Sequence, residues 1–369
     1  MLKLSSPKAR WNLSRVLPFG IIWSVLGIVF MLSDVLAIGD GDAPEGAIYP
    51  NFELFVFAIM ATFAGGSVVG LLEMVYGNRL FRKASLLMTT IYKSLLYLVF
   101  FFVLMVVVYP IAARIELKSS FSDPEVWQKF KVFWGSYAFW STMLQLGFSL
   151  LLSLLYAAIS ENLGQSVIMN FFTGKYHRPK EEERIFMFLD MRSSTTMAET
   201  LGHVQYFELL QQYYDDLADA IIQNWGEVYQ YVGDEIVITW TKQRGIVNNN
   251  CIDCFFDMQQ ALEVKKEHYI KAFGYAPTFK AGLHLGTVTT GEVGALKKEI
   301  VYTGDVLNTT ARIQALCNET GKELLISDVL MEALGLQEPA AEAYLGYFDL
   351  KGKNIDIALY GLNSWPLTP

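Results

Sequence analysis

In Arg184-Ile-Phe-Met-Phe-Leu-Asp190-Met-Arg-Ser-Ser-Thr-Thr196, the run 185–189 mixes aliphatic and aromatic side chains without a polar interruption. That is the pattern of a short strand covered on both faces. The run ends abruptly at Asp190, Arg, Ser and Thr follow, and a helical pattern begins at about Met197. A carboxylate at the carboxyl end of a buried strand, beside the free N–H groups of a helix start, can hold a metal ion and a phosphate together. Asp is also a common helix cap, so on this stretch alone both roles stand open.

Downstream, elements of both kinds alternate. A helix over 197–225 carries Phe207, Leu210, Tyr214 and Leu217 at helical spacing and stops at Gly226. The runs 227–232 and 235–240 are β-branched and aromatic, and Gly233-Asp234 between them signals a hairpin. A helix over 249–273 ends at Gly274 and Pro277, and a strand over 278–285 leads into a glycine-rich stretch reaching Gly294. A strand at 299–303, a helix at 306–320 and strands at 324–326, 347–350 and 355–362 complete the pattern. Several strands are joined by turns too short for crossovers, which predicts an α+β fold with a mostly antiparallel sheet. If the strand after the hairpin lies beside the 185–190 strand, Asp234 meets Asp190 at one sheet edge. Two such carboxylates repel unless cations lie between them, and two metals held this way can stabilise an attacking and a leaving oxygen. Asp234 alone is equally an ordinary turn residue. Asn308 and Arg312, four residues apart, share one helix face. An amide to hold a ribose and a guanidinium to meet phosphate charge would suit a nucleotide site. Lys353, in the Lys351-Gly-Lys353 turn, could reach a triphosphate. Taken singly, each of these is also what a solvated surface carries.

Upstream the chain changes character. Apolar residues make up 53% of the 369 residues and the mean hydropathy is +0.30, with the excess before residue 160. Four apolar segments, near 16–38, 52–76, 86–113 and 130–159, exceed the roughly 20 residues a bilayer crossing needs. Lys3, Lys8, Arg10 and Arg15 precede the first span, and Arg79, Arg82 and Lys83 lie between the second and third. The first loop has Asp40, Asp42 and Glu45 without Lys or Arg, and the third is mixed. This asymmetry puts both chain ends in the cytoplasm of a multi-pass protein of the cell membrane, surrounded by lipid. Gly66 and Gly70 let helices approach closely, as at a dimer contact, although such pairs also arise by chance. Asp34 and Glu73 would mark a sensing site at membrane depth, but their places near span ends fit a hydrated interface. The expected organisation is a four-helix transmembrane domain at 1–159, a connector at 160–183, a catalytic domain at 184–362 and a tail at 363–369. The connector begins as a helix, breaks at Pro179 and carries the acidic run Glu181, Glu182 and Glu183. A net charge of −8 argues against a nucleic-acid partner. The three cysteines make no disulfide framework, and Cys251 and Cys254 read as a helix face rather than a zinc or redox motif.

Residues 184–362 resemble the catalytic domain of the class III nucleotidyl cyclases, the adenylyl and guanylyl cyclases, a ferredoxin-like α+β fold. The most specific piece is Gly282-Leu-His-Leu-Gly286-Thr-Val-Thr-Thr-Gly291-Glu-Val-Gly294, whose glycine and histidine spacing matches the family. The resemblance implies that Asp190 and Asp234, with the backbone of Met191, hold two Mg²⁺ or Mn²⁺ ions. It makes Asn308 the ribose-orienting residue and Arg312 the transition-state arginine. Lys353 and the amides of Ser193, Ser194 and Thr195 become the phosphate contacts, and His284 a strand residue rather than a ligand. It also implies ATP or GTP as substrate, attack of the ribose 3′-OH on the α-phosphorus, and a homodimer with shared sites. The chain departs from the family in three places. The helix start, usually Gly-Phe-Thr, is Ser193-Ser194-Thr195, and the two base-recognition positions carry Gln230 and Val301 in place of Lys and of Asp or Thr. ATP is therefore expected from the commoner case, with GTP as the alternative. Val232-Gly-Asp-Glu-Ile236 echoes the diguanylate cyclase hairpin, but that fold leaves Asn308, Arg312, the Lys-Gly-Lys turn and the 282–294 stretch without a role. A non-catalytic receptor with a cyclase-like dimerisation domain would not need all five matched polar residues.

Overall fold

A computed structural model describes residues 6–39, 46–49, 51–76, 86–336, 343–348 and 356–362. The chain divides into two compact units, Trp11–Met169 and Met1–Arg10 with Asn170–Pro369.

The first unit is helical. Its long helices are α1 (Pro7–Ile38), α2 (Phe52–Tyr76), α3 (Leu86–Leu117) and α5 (Tyr137–Leu163), with the short α4 (Pro124–Trp134) before α5. Four of them contain stretches long and apolar enough to cross a membrane: Pro7–Ile38, Phe52–Val75, Leu95–Leu117 and Tyr137–Ser160. The fourth starts later than the sequence suggested, because 130–159 spans two helices. Asp123 caps α4 by accepting from Glu125 N at 3.0 Å. Gly135 ends α4, and the Ser136 Oγ accepts from Phe139 N at 3.4 Å to start α5. Small residues bring α1 against α2. A Cβ on Gly66 would lie 2.6 Å from the Phe19 carbonyl oxygen and 2.7 Å from the Trp23 ring, and one on Gly70 would lie 3.0 Å from the Phe19 ring. The glycine pair thus serves a contact within the chain. Glu73 accepts from Tyr97 Oη at 2.6 Å and is ion-paired with Lys93, so its carboxylate has partners inside the bundle.

The second unit begins with α6 (Gln165–Thr173), which straddles the division, followed by β1 (Lys180–Met191), α7 (Ser194–Gln223), β2 (Glu227–Val232) and β3 (Glu235–Thr241). Next come α8 (Lys242–Ile246), α9 (Asn250–Val264), α10 (Lys266–Phe273), β4 (Phe279–Val293), β5 (Glu299–Thr303) and α11 (Asp305–Ala315). Last are α12 (Cys317–Thr320), β6 (Leu324–Ser327), α13 (Asp328–Leu334), β7 (Ala343–Phe348) and β8 (Ile357–Leu362). The strands form one sheet in the order β2-β3-β1-β4-β6-β8-β7, with β5 paired to β4. Every pairing is antiparallel except β4 with β6.

Alternate residues of β1 serve two cores, as the twofold pleat requires. Ile185, Met187, Leu189 and Met191 pack with α7 and α9 residues such as Leu217 and Phe255. Phe186 and Phe188 pack on the other face with Val306 and Ala311 of α11. Both sets are buried, and each such side chain contributes about 1.5–3 kcal/mol.

Three expectations change. The strand β1 starts at Lys180, so the acidic run belongs to the sheet rather than to a connector. Glu182 is tolerated there because it accepts from Arg184 Nε and from Thr290 Oγ1, both at 2.9 Å. The glycine-rich stretch is not a loop but the second half of the 15-residue β4, held by β1 on one side and β5 on the other. The helix placed at 249–273 is two, separated at Lys265.

Glycines in β4 set the seat of α11. A Cβ on Gly282 would lie 2.5 Å from Gln314 N, and one on Gly286 would lie 2.5 Å from a Val306 methyl. Four strand residues span about 13 Å and eight helix residues about 12 Å, so the two glycines match the ends of the contact.

Candidate active site

The antiparallel pairing of β1 with β3 places Asp190 opposite Glu235, and Asp234 occupies the two-residue turn just before it. Gly233 reaches the φ of +66° that this turn needs, and its carbonyl accepts from the Tyr214 hydroxyl on α7. Asp190 and Asp234 are therefore neighbours at one sheet edge. Burial first, and then the charge of Asp234, push the Asp190 carboxyl above the usual range, against the pull of Lys280. Glu235 is pushed up by burial and by both aspartates. The sequence reading missed it because it sees the run, not the register.

Lys280 was missed as well. It pairs with Asp190 across β1 and β4, and its ammonium is 3.3 Å from Asp190 Oδ2 and 3.0 Å from Asn318 Oδ1. It is buried, 8% exposed, so that it acts as a fixed charge on one side of the pair.

A carboxylate whose charge is disfavoured by burial and by a second carboxylate beside it is a hard oxygen donor short of positive charge, and this donor set fits a divalent cation. Among the described residues no group of three or more His, Cys, Asp or Glu side chains is arranged to hold a metal. What the chain offers is two carboxylates, and Met191 follows Asp190 at the strand end.

After Asp190 the chain turns into α7 through Ser193, whose φ of 57° is left-handed. This conformation costs a non-glycine residue roughly 1–2 kcal/mol. No side chain caps the helix there. The N–H groups of the first turn, Ser194 and Thr195 among them, thus lack a side-chain cap next to the carboxylate pair.

Asn308 and Arg312 sit on α11, on the opposite face of the sheet from α7. Val306 lies against Gly286, which pairs with Arg184, and Gln314 lies against Gly282, which pairs with Phe188, so α11 runs along β1 and β4 on the face turned away from α7. No hydrogen bond or ion pair joins Asn308 or Arg312 to either aspartate. Asn308 is exposed, and Arg312 Nη1 is buried without a hydrogen-bond partner among the described residues. One chain therefore brings together Asp190, Asp234, Glu235 and Lys280 but keeps the Asn308 and Arg312 pair apart from them.

Gln230 is exposed on β2 opposite Val237, after a bulge at Tyr229, and Val301 is on β5 opposite Gly291. Their sequence neighbours Tyr229 and Tyr302 meet edge to face at 4.9 Å. The Arg184 guanidinium lies 4.7 Å over the Tyr302 ring. His284 is buried in β4 with its Nδ1 2.8 Å from Ser327 Oγ, a structural strand residue. Cys251 and Cys254 are buried free thiols on α9, and burial pushes the Cys251 thiol up to about 12. Lys353 lies outside the described residues.

The chain is 35% identical over 210 residues to adenylate cyclase 2 of Rhizobium meliloti (strain 1021), covering 57% of this chain and 58% of the relative. It is 27% identical over 181 residues to an adenylate cyclase of Anabaena cylindrica, covering 47% and 35%. It thus spans less than two thirds of either relative. The solved structure of a bacterial light-regulated adenylyl cyclase superimposes with a TM-score of 0.52 at 22% identity, over 60% of this chain and 64% of that one, a likeness of fold. Residues 177–364 match the family described as the adenylate and guanylate cyclase catalytic domain, and the chain belongs to that family.

Proposed function

We propose that the chain is a membrane-anchored adenylate cyclase that converts ATP to 3′,5′-cyclic AMP and pyrophosphate at two sites of a homodimer. The observation that carries this is the division of the polar residues: the Asp190 and Asp234 pair lies at the end of β1 where α7 begins, and Asn308 with Arg312 on α11, on the other face of the sheet. A second copy turned head to tail would bring α11 of one chain to the carboxylates of the other. Both relatives described above are adenylate cyclases, which favours ATP.

In this reading Asp190, Asp234 and the backbone of Met191 hold two Mg²⁺ or Mn²⁺ ions. When bound, these ions supply positive charge to the phosphate oxygens and to the attacking hydroxyl. The uncapped amides of Ser193–Thr195 bind phosphate at the start of α7, and Lys353, outside the described residues, is assigned a further phosphate contact. Asn308 orients the ribose so that its 3′-oxygen faces the α-phosphorus. The new bond joins that oxygen to phosphorus, the bond to the β-phosphate breaks, the hydroxyl proton leaves to solvent and pyrophosphate departs. Arg312 meets the charge that grows on the phosphates in the transition state. Residues 1–159 form the anchor, with 184–362 cytoplasmic, where ATP is available.

Guanylate cyclase activity is the second reading, because Gln230 and Val301 do not form the usual adenine-reading pair. The test supplies purified protein with ATP or GTP and Mg²⁺ or Mn²⁺ and measures cyclic nucleotide and pyrophosphate. Cyclic AMP in preference to cyclic GMP is expected. Preference for GTP would reverse the substrate assignment, and no product from either nucleotide would overturn the enzymatic reading.

A further inference from the structure

The helical unit Trp11–Met169 holds an open-sided cavity of about 650 Å³, lined by α1, α2, α3, α4 and α5 with the stretch 46–48. This lies within the range of small-molecule sites, roughly 300–1,000 Å³. It sits toward the end of the bundle where α1 finishes and α2 begins, the outer end in the orientation expected from the sequence. Its wall is mostly aliphatic and aromatic, with one carboxylate, Asp34, and no Lys, Arg or His among the described lining residues.

Several other polar groups of the wall have partners within the bundle. Thr62 donates to the Ala58 carbonyl at 2.8 Å, Thr142 to the Ala138 carbonyl at 2.8 Å, and Tyr109 to the Gly46 carbonyl. The Trp23 indole donates to Ser153 Oγ at 2.8 Å. Asp34 differs. It accepts from Gln145 Nε2 at 3.2 and 3.4 Å, a neutral donor that orients the carboxylate without cancelling its charge. A carboxylate has about four acceptor sites, so capacity remains for a ligand. Asp34 is exposed near the end of α1, so a ligand's positive charge can reach its free acceptor sites from the open side of the cavity. The aromatic rings in the wall add faces that attract an organic cation.

We propose that this cavity binds an amphipathic organic amine, with its ammonium at Asp34 and its apolar body among the α2, α3 and α5 side chains. The site is independent of the catalytic reading, since no part of it comes from residues 170–369.

The experiment uses the full chain in lipid nanodiscs with three photoreactive probes of equal chain length: a primary amine, an alcohol and a carboxylate. Saturable labelling by the amine at cavity residues such as Met105 and Leu146 is expected, with at least about tenfold weaker labelling by the other two. Asp34→Asn keeps an acceptor for Gln145 and should weaken amine labelling about tenfold. Ala61→Trp, which puts an indole ring into the cavity, should weaken it as well. Equal labelling by all three probes, or labelling confined to lipid-facing positions, would overturn the proposal. Undiminished amine labelling of either variant would do so too. The probe comparison needs no variant, so it decides the matter even if a substitution unfolds the protein.

Discussion

Individual residues at the acidic edge carry opposing demands of chemistry and stability. Asp190 has a raised pKa because burial and Asp234 disfavour its charge. For a group raised in the folded state, the favourable contribution is complete below the unfolded pKa and is lost as pH rises through the folded one. At neutral pH the Asp190 carboxylate therefore destabilises the metal-free protein, and the window of loss runs upward from the ordinary carboxylate range. Asp190→Asn should raise the thermal midpoint of metal-free protein at pH 7 and change it less at pH 4, measured by scanning both variants at both pH values. The same substitution, like Asp234→Ala, should remove at least about 99% of cyclase activity, since a two-metal site fails when a ligand is lost. Near wild-type activity would sink the metal assignment. Ser193 offers a second test, because it holds a left-handed conformation at the position where the family usually has glycine. Relief of roughly 1–2 kcal/mol of strain exceeds the roughly 0.5–1 kcal/mol of extra entropy a glycine loses on folding. Ser193→Gly should thus be stabilising by about 0.5–1 kcal/mol in denaturant titration, and a destabilised variant would mean that Ser193 makes a compensating contact.

At the scale of elements, the seat of α11 on β4 links packing to the position of Asn308 and Arg312. The two glycines beneath it differ in what they face. Gly282 meets the backbone of Gln314, which cannot yield, whereas Gly286 meets a Val306 methyl, which can be removed. Gly282→Ala should cost about 1–3 kcal/mol or more and depress kcat by displacing the helix. Gly286→Ala should cost less, and Val306→Ala in the same chain should restore most of the loss. Rescue of both by side-chain truncation, read from unfolding midpoints, would show that the helix is not fixed by backbone contact. The Gly66 contact makes the matching statement for the helical unit. Gly66→Leu should reduce the yield of folded protein, because the clash is with the Phe19 carbonyl and Trp23 within the same chain.

At the scale of the whole molecule, the proposed homodimer completes each site with residues of both copies. If Asp190 of one copy and Arg312 of another act on one nucleotide, Asp190→Ala and Arg312→Ala homodimers are each inactive at both sites. A mixed dimer holds one site with both lesions and one with neither. With random pairing half the dimers are mixed, so co-expression should restore up to about a quarter of wild-type activity. Isolated Arg312→Ala should lose kcat more than it gains KM, as expected for a contact made in the transition state. Verified mixed dimers without recovered activity would mean that each site is built within one chain. Orientation belongs to the same scale: a reporter fused after Pro369 should read as cytoplasmic and one inserted near Ala43 as external. The reverse pattern would separate the catalytic domain from its nucleotide.

Local chemistry sufficed for much of this protein. Hydrophobic period, the Gly233-Asp234 turn and the length of the apolar segments determined the α+β class, the hairpin and four membrane-length helices, because these depend on near neighbours in the chain. The candidate residues 190, 234, 308 and 312 were legible for the same reason, as polar groups at the ends of regular patterns. What escaped depended on partners distant in sequence. The charged 180–183 segment became strand only because Thr290 and Arg184 satisfy Glu182, and the glycine-rich 286–293 segment because β1 and β5 flank it. Glu235 and Lys280 entered the site through register, which no single strand encodes. Tertiary structure alone put α11 on the sheet face opposite α7, since its seat is fixed by two glycines of β4 whose contacts lie far along the chain.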